Sequence, residues 1–134
     1  MKLEEVTLEN IKEYVDDYKF KTNGIEAIFS DNGESLGIYR MFGEDYIGSI
    51  YKNENGDFET STSENDWCTG ICEGAIDEEE TSIQEVTSEL LGSLKSGLCE
   101  DIDYFREIVD DLNEFGEKTG YKIPIIGTTR ENEY

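Results

Sequence analysis

The chain has 134 residues, of which 33 are acidic, 11 basic and none histidine, giving a net charge of −22 at neutral pH. This length suits one domain that can bury a core without staples, and eight tyrosines, six phenylalanines and one tryptophan exclude a disordered acidic tail, which would be poor in aromatics. The charge excludes direct binding of nucleic acid or an anionic membrane, and the missing histidine excludes Ser-His-Asp and Cys-His nucleophilic machinery.

The first predicted element is a helix over residues 7–18. Leu8, Ile11, Val15 and Tyr18 recur at three- and four-residue steps with Tyr14 beside them. Thr7 can cap this helix, and Val6 and Ile11 have the spacing of a hydrophobic staple. A β-meander follows. Residues 24–30 alternate with Ile25, Ala27 and Phe29 on one face, and Asn32-Gly33 marks a hairpin. Residues 35–42 place Leu36, Ile38 and Phe42 together. Gly43-Glu44 turns into a strand over 45–52, with Tyr46 and Ile50 on one face and Ile47 and Tyr51 on the other. Asn55-Gly56 leads into a polar strand over 57–62, suited to a sheet edge.

Residues 63–80 are irregular and hold Trp67, Cys68, Cys72 and the run Asp77-Glu78-Glu79-Glu80. A second helix is expected over 82–96, with Ser82 and Glu85 as a capping box, Ile83, Val86, Leu90 and Leu94 as its stripe, and Gly97 as its end. A third runs over 101–115, capped by Asp101, with Ile102, Phe105, Ile108, Val109 and Leu112 inward and Gly116 closing it. Residues 121–126 read as a short strand that Pro124 pushes to an edge. The expected fold is α+β: an antiparallel four-stranded β-meander, an N-terminal helix and two C-terminal helices packed on one face, and a short C-terminal edge strand. Residues 1–127 are expected to form one domain and 128–134 a flexible tail. The element order superficially resembles the double-stranded-RNA-binding domain, but nothing basic would meet the phosphates.

No motif singles out a catalytic group, so the expectation is a protein that is not an enzyme and needs no cofactor. Cys68-x-x-x-Cys72 could hold a metal with Cys99 and a carboxylate, but two buried thiols beside Trp67 explain the pair more simply. Asn53, Asn55, Asp57, Glu59 and Glu64 mimic a calcium loop, yet Gly56 falls at the fourth position where an EF-hand needs glycine at the sixth. A hairpin accounts for them better. Three cysteines without a basic-then-apolar leader point to reduced thiols and a cytoplasmic location. No apolar stretch approaches the ~20 residues of a membrane span.

The acids are unevenly placed. Residues 53–117 carry 20 acids against Lys95 and Arg106, whereas residues 1–52 carry 11 acids against 6 bases. The third helix is expected to turn Asp103, Arg106, Glu107, Asp110, Asp111 and Glu114 outward. Its five carboxylates over ~17 Å approach the ~3.4 Å spacing of phosphates along one DNA strand. These features suggest an acidic inhibitor that occupies the basic groove of a nucleic-acid-handling protein, a nuclease or RNA-guided effector. A phage anti-restriction or anti-CRISPR DNA mimic would have this character. An immunity protein against a cationic nuclease toxin would share the same physics. A module binding a metal or small ligand around Cys68, Cys72 and Asp77 to Glu80 is the competing class. Candidate partner-binding residues are Asp77, Glu78, Glu79, Glu80, Asp103, Glu107, Asp110, Asp111 and Glu114, with Trp67 and Tyr104 as anchors.

Overall fold

The computed structural model describes residues 1–19, 22, 24–40, 43–62, 70–98 and 102–124, with the backbone alone at 102–105. A short 3-10 turn over Leu3–Glu5 precedes helix α1 (Leu8–Asp17). The Thr7 hydroxyl accepts the Asn10 amide at 3.1 Å, and the Asn10 side chain accepts the Thr7 amide at 3.0 Å. Two of the orphan amides at a helix start are thereby satisfied. Val6 and Ile11 are both fully buried, as the staple spacing predicts.

Four strands follow, β1 (Glu26–Phe29), β2 (Ser35–Arg40), β3 (Asp45–Lys52) and β4 (Phe58–Thr62). They form one antiparallel sheet in the order β1-β2-β3-β4. Gly33 and Gly56 take φ of 74° and 83° in the connecting turns, which a β-carbon would strain. Between Asn53 and Asp57 the Asn53 side chain accepts the amides of Asn55 and Asp57. The suspected calcium residues Asn53, Asn55, Asp57 and Glu59 thus belong to a hairpin, and Glu64 lies outside the described residues. The free edge of β1 is also blunted. Asp16 accepts the Ala27 amide, and Lys12 donates to the Ala27 carbonyl at 2.7 Å while pairing with Asp16.

The strict alternation expected for β3 fails at one point. The β2–β3 register shifts between Ile38 and Tyr39, leaving Ile47 as the extra residue opposite them. Such a bulge reverses the side-chain parity beyond it. Ile47 and Ile50 are therefore both buried, while Tyr46 is turned to solvent.

Helix α2 (Ile83–Leu98) forms the centre of the core. The Ser82 hydroxyl caps it by accepting the Glu85 amide at 3.1 Å, while the Glu85 carboxylate accepts instead from Thr81. Every residue from Leu90 to Leu98 is buried, so the second half of this helix is covered on all sides and not along one stripe. Small residues permit this. At Gly92 a β-carbon would stand 2.5 Å from the Pro124 carbonyl, and at Gly48 of β3 it would stand 2.6 Å from Leu94. Ser93 meets Thr60 of β4 at 2.6 Å, which satisfies two buried hydroxyls.

Helix α3 (Ile102–Thr119) runs past Gly116 and ends at Gly120, whose φ is 82° and whose amide donates to the Gly116 carbonyl. Gly116 is needed inside the helix because a β-carbon there would meet the Ile123 amide nitrogen at 3.0 Å. The expected strand over 121–126 is not formed by its described residues, 121–124. They cross the helices instead, and Lys95 donates to the Ile123 carbonyl at 3.0 Å, satisfying an acceptor that a strand would place in its ladder. Residues 125–126 and the expected tail lie outside the described residues. The architecture is otherwise the expected α+β sheet with three helices. No described helix is long and apolar enough to cross a membrane.

Candidate functional site

Alternation in β2 puts Arg40 on the same face as Leu36 and Ile38, so a guanidinium enters the margin of the core. Its side chain is only 9 % exposed and meets three carboxylates: Asp45 and Asp111 at 2.8 Å each and Glu107 at 3.1 Å. Burial alone would lower its pKa, but the bonds to Asp111, Glu107 and Asp45 outweigh that and raise it. Arg40 is locked as a cation between the sheet and α3.

This cluster corrects the expected outer face of α3. Asp111 is buried and faces Arg40, so it is withdrawn from any docking surface. Glu107 is exposed but shared with Arg40. Arg106, Asp110 and Glu117 are exposed and Glu114 is half-buried. Asp110, Glu114 and Glu117 stand four and three residues apart, or ~6 and ~4.5 Å of helix rise. That ladder is sparser than the phosphates of a nucleic-acid strand. The side chains of Asp103 and Tyr104 lie outside the described residues, as do Trp67, Cys68 and Cys99.

The second acidic region gathers three segments distant in sequence. The amide of Leu3 donates to the Glu78 carbonyl and the amide of Thr81 to the Met1 carbonyl, which ties the first residues to the segment preceding α2. Glu80 pairs with the terminal ammonium at 3.6 Å and Glu79 with Lys2 at 4.0 Å. Between this wall and the β3–β4 turn lies a groove of about 710 Å³, floored by Leu3, Phe58, Ile71 and Ile76. Glu4, Asp57, Glu73, Asp77, Glu78 and Glu79 also line it, and Lys2 is the one cation among its described lining residues. Three members of the Asp77 to Glu80 run thus reach the groove, while Glu80 stands outside its lining. The half-buried Cys72 lines it too.

The sequence reading missed Glu4, Asp57 and Glu73, because only folding brings these segments together. It also missed Arg40, whose inward parity beside Leu36 and Ile38 was the available signal. The two acidic regions are separate. Asp45, beside Arg40, and Lys52, next to the groove's turn, stand at opposite ends of β3, seven residues or ~24 Å apart. Among the described residues no group of three or more cysteines and carboxylates is arranged to hold a metal ion. No family model, curated protein or solved structure matches the chain.

Proposed function

We propose that the protein is an acidic binding inhibitor that occupies the basic nucleic-acid groove of a target protein. The observation that carries this reading is the groove, where three separate chain segments bring six carboxylates together against one lysine among the described residues. Carboxylates placed this way repel one another and weaken the fold, so a role in solubility alone would favour interleaved signs. A cationic partner relieves the repulsion, speeds association and fixes orientation. The α3 residues Asp110, Glu114 and Glu117 supply a second contact region. The role requires recognition and no bond chemistry. Antagonism of a nuclease or RNA-guided effector and immunity to a cationic nuclease toxin use the same surface, and the captured partner distinguishes them. Both roles place the protein in the cytoplasm.

The test is capture on the immobilised protein from a nuclease-treated host lysate, with elution by rising salt and identification by mass spectrometry. A basic nuclease, polymerase or RNA-guided effector released by salt, and not retained by a chain carrying Glu73→Lys, Asp77→Lys and Glu78→Lys, is the expected result. Equal retention by that variant would remove the groove from the reading. A melting temperature raised by zinc or calcium and lowered by chelator would favour the metal-binding alternative.

A further inference from the structure

We propose that the helix-free face of the sheet is a second recognition surface, and that it takes an arginine-bearing segment of a cationic partner. Strand alternation and register turn Tyr39 of β2 and Tyr46 and Tyr51 of β3 to this face. Tyr39 and Tyr46 are direct cross-strand partners with ring centroids 5.4 Å apart. The Tyr39 ring lies across Gly37, where a β-carbon would come within 2.7 Å of it. The rings are also tethered: the Tyr46 and Ser49 hydroxyls share a 2.6 Å bond, and the Tyr51 hydroxyl donates to Glu59. Much of the side-chain ordering that docking normally costs is therefore already in place.

Charge selects the occupant. Among the described strand residues, the ionisable ones on this face besides the tyrosines are Glu26 and Glu59, and none is a cation. Tyrosine faces flanked by carboxylates suit a guanidinium, which stacks on rings and is more weakly hydrated than an ammonium. At −22 a second copy of the chain and a single-stranded nucleic acid are both repelled. This inference rests on the reading that the partner is cationic, and it adds where arginine in particular is recognised.

The test titrates the full chain with two synthetic peptides of equal length and charge, an arginine-glycine-serine repeat and its lysine counterpart, while following ring signals by NMR. The arginine peptide is expected to bind about tenfold more tightly, as a few stacked guanidinium contacts would give, and to shift the Tyr39 and Tyr46 rings. A chain carrying Tyr39→Leu and Tyr46→Leu, which keeps apolar area at these positions, is expected to bind both peptides alike. Equal binding of both peptides by the unaltered chain, with shifts confined to the groove or α3, would overturn the tyrosine face and leave the cationic reading standing. Binding of neither peptide at low salt would overturn both. A dimer in sedimentation that the leucine pair abolishes would give the face to a second copy and refute the assignment.

Discussion

Removing the Arg40 side chain tests whether α3 is held to the sheet by charge. At 2.8 Å, Arg40 and Asp111 attract by about 6 kcal/mol at an effective dielectric of ~20. Desolvation of two ions costs several kcal/mol each and offsets most of that gain. The intact pair is therefore worth little beyond an apolar pair of similar volume. Breaking it is different, because Arg40→Ala takes from the buried Asp111 carboxylate the guanidinium that stands 2.8 Å away, a loss of about 3–5 kcal/mol. A small domain has roughly 5–15 kcal/mol in total. Glu107 is 75 % exposed, so Glu107→Gln should cost no more than ~1 kcal/mol. Urea unfolding followed by far-ultraviolet circular dichroism reads all three quantities. Combining Arg40→Leu with Asp111→Leu should recover most of the loss, since Asp45 and Glu107 keep contact with water. A loss under ~1 kcal/mol for Arg40→Ala, or a leucine pair as unstable as that single variant, would refute the reasoning.

Burial, and then repulsion from Glu85, holds the Glu89 carboxyl above its usual range, and its Oε2 has no hydrogen-bond partner. The fold therefore favours the protonated acid, and the resulting penalty is absent below the unfolded pKa and appears as pH rises through the raised folded value. Glu89→Gln should raise the melting temperature at pH 7, and a thermal series should show the gain vanish below about pH 4. Gly48→Ala sets a methyl against the Ser61 carbonyl at 2.5 Å and Leu94 at 2.6 Å, which should cost about 1–3 kcal/mol in urea. At Gly56 the same change meets open space but a φ of 83°, so its cost should stay near ~1 kcal/mol.

The fold was legible wherever one local rule acted alone. Thr7 and Val6 announce the start of α1, Asn32-Gly33 and Asn55-Gly56 announce hairpins, and Asp45–Lys52 appears with its predicted ends. It was less legible where two rules competed. Alternation set Ile47 on the face opposite Ile50, and the bulge at Ile38/Tyr39 overrode it. Glycine rules ended helices at Gly97 and Gly116, but α2 runs to Leu98 and α3 runs past Gly116, which lies close against Ile123. Tertiary packing, which no window of sequence contains, made the difference. The site follows the same division. The acidic run Asp77 to Glu80 was visible, while its meeting with Glu4 and Asp57 was not. Helical spacing alone could not tell that Asp111 faces an arginine 71 residues away.

Separation of the two acidic regions changes what binding must look like. The ~24 Å of β3 between the Arg40 end and the groove's turn exceeds the ~8 Å screening length of physiological salt, so a reversal at one end hardly alters the field at the other. Glu107 is unsuitable for this test, because a lysine there would stand beside Arg40 and disturb the fold. Asp110→Lys with Glu117→Lys for α3, and Glu73→Lys with Asp77→Lys for the groove, avoid that conflict. If one partner spans both ends, each double variant should weaken capture and their free-energy losses should add. If only the groove is engaged, the α3 variant should bind like the unaltered chain. A combined variant that still captures the partner at full strength would leave the carboxylates of both regions with no part in recognition.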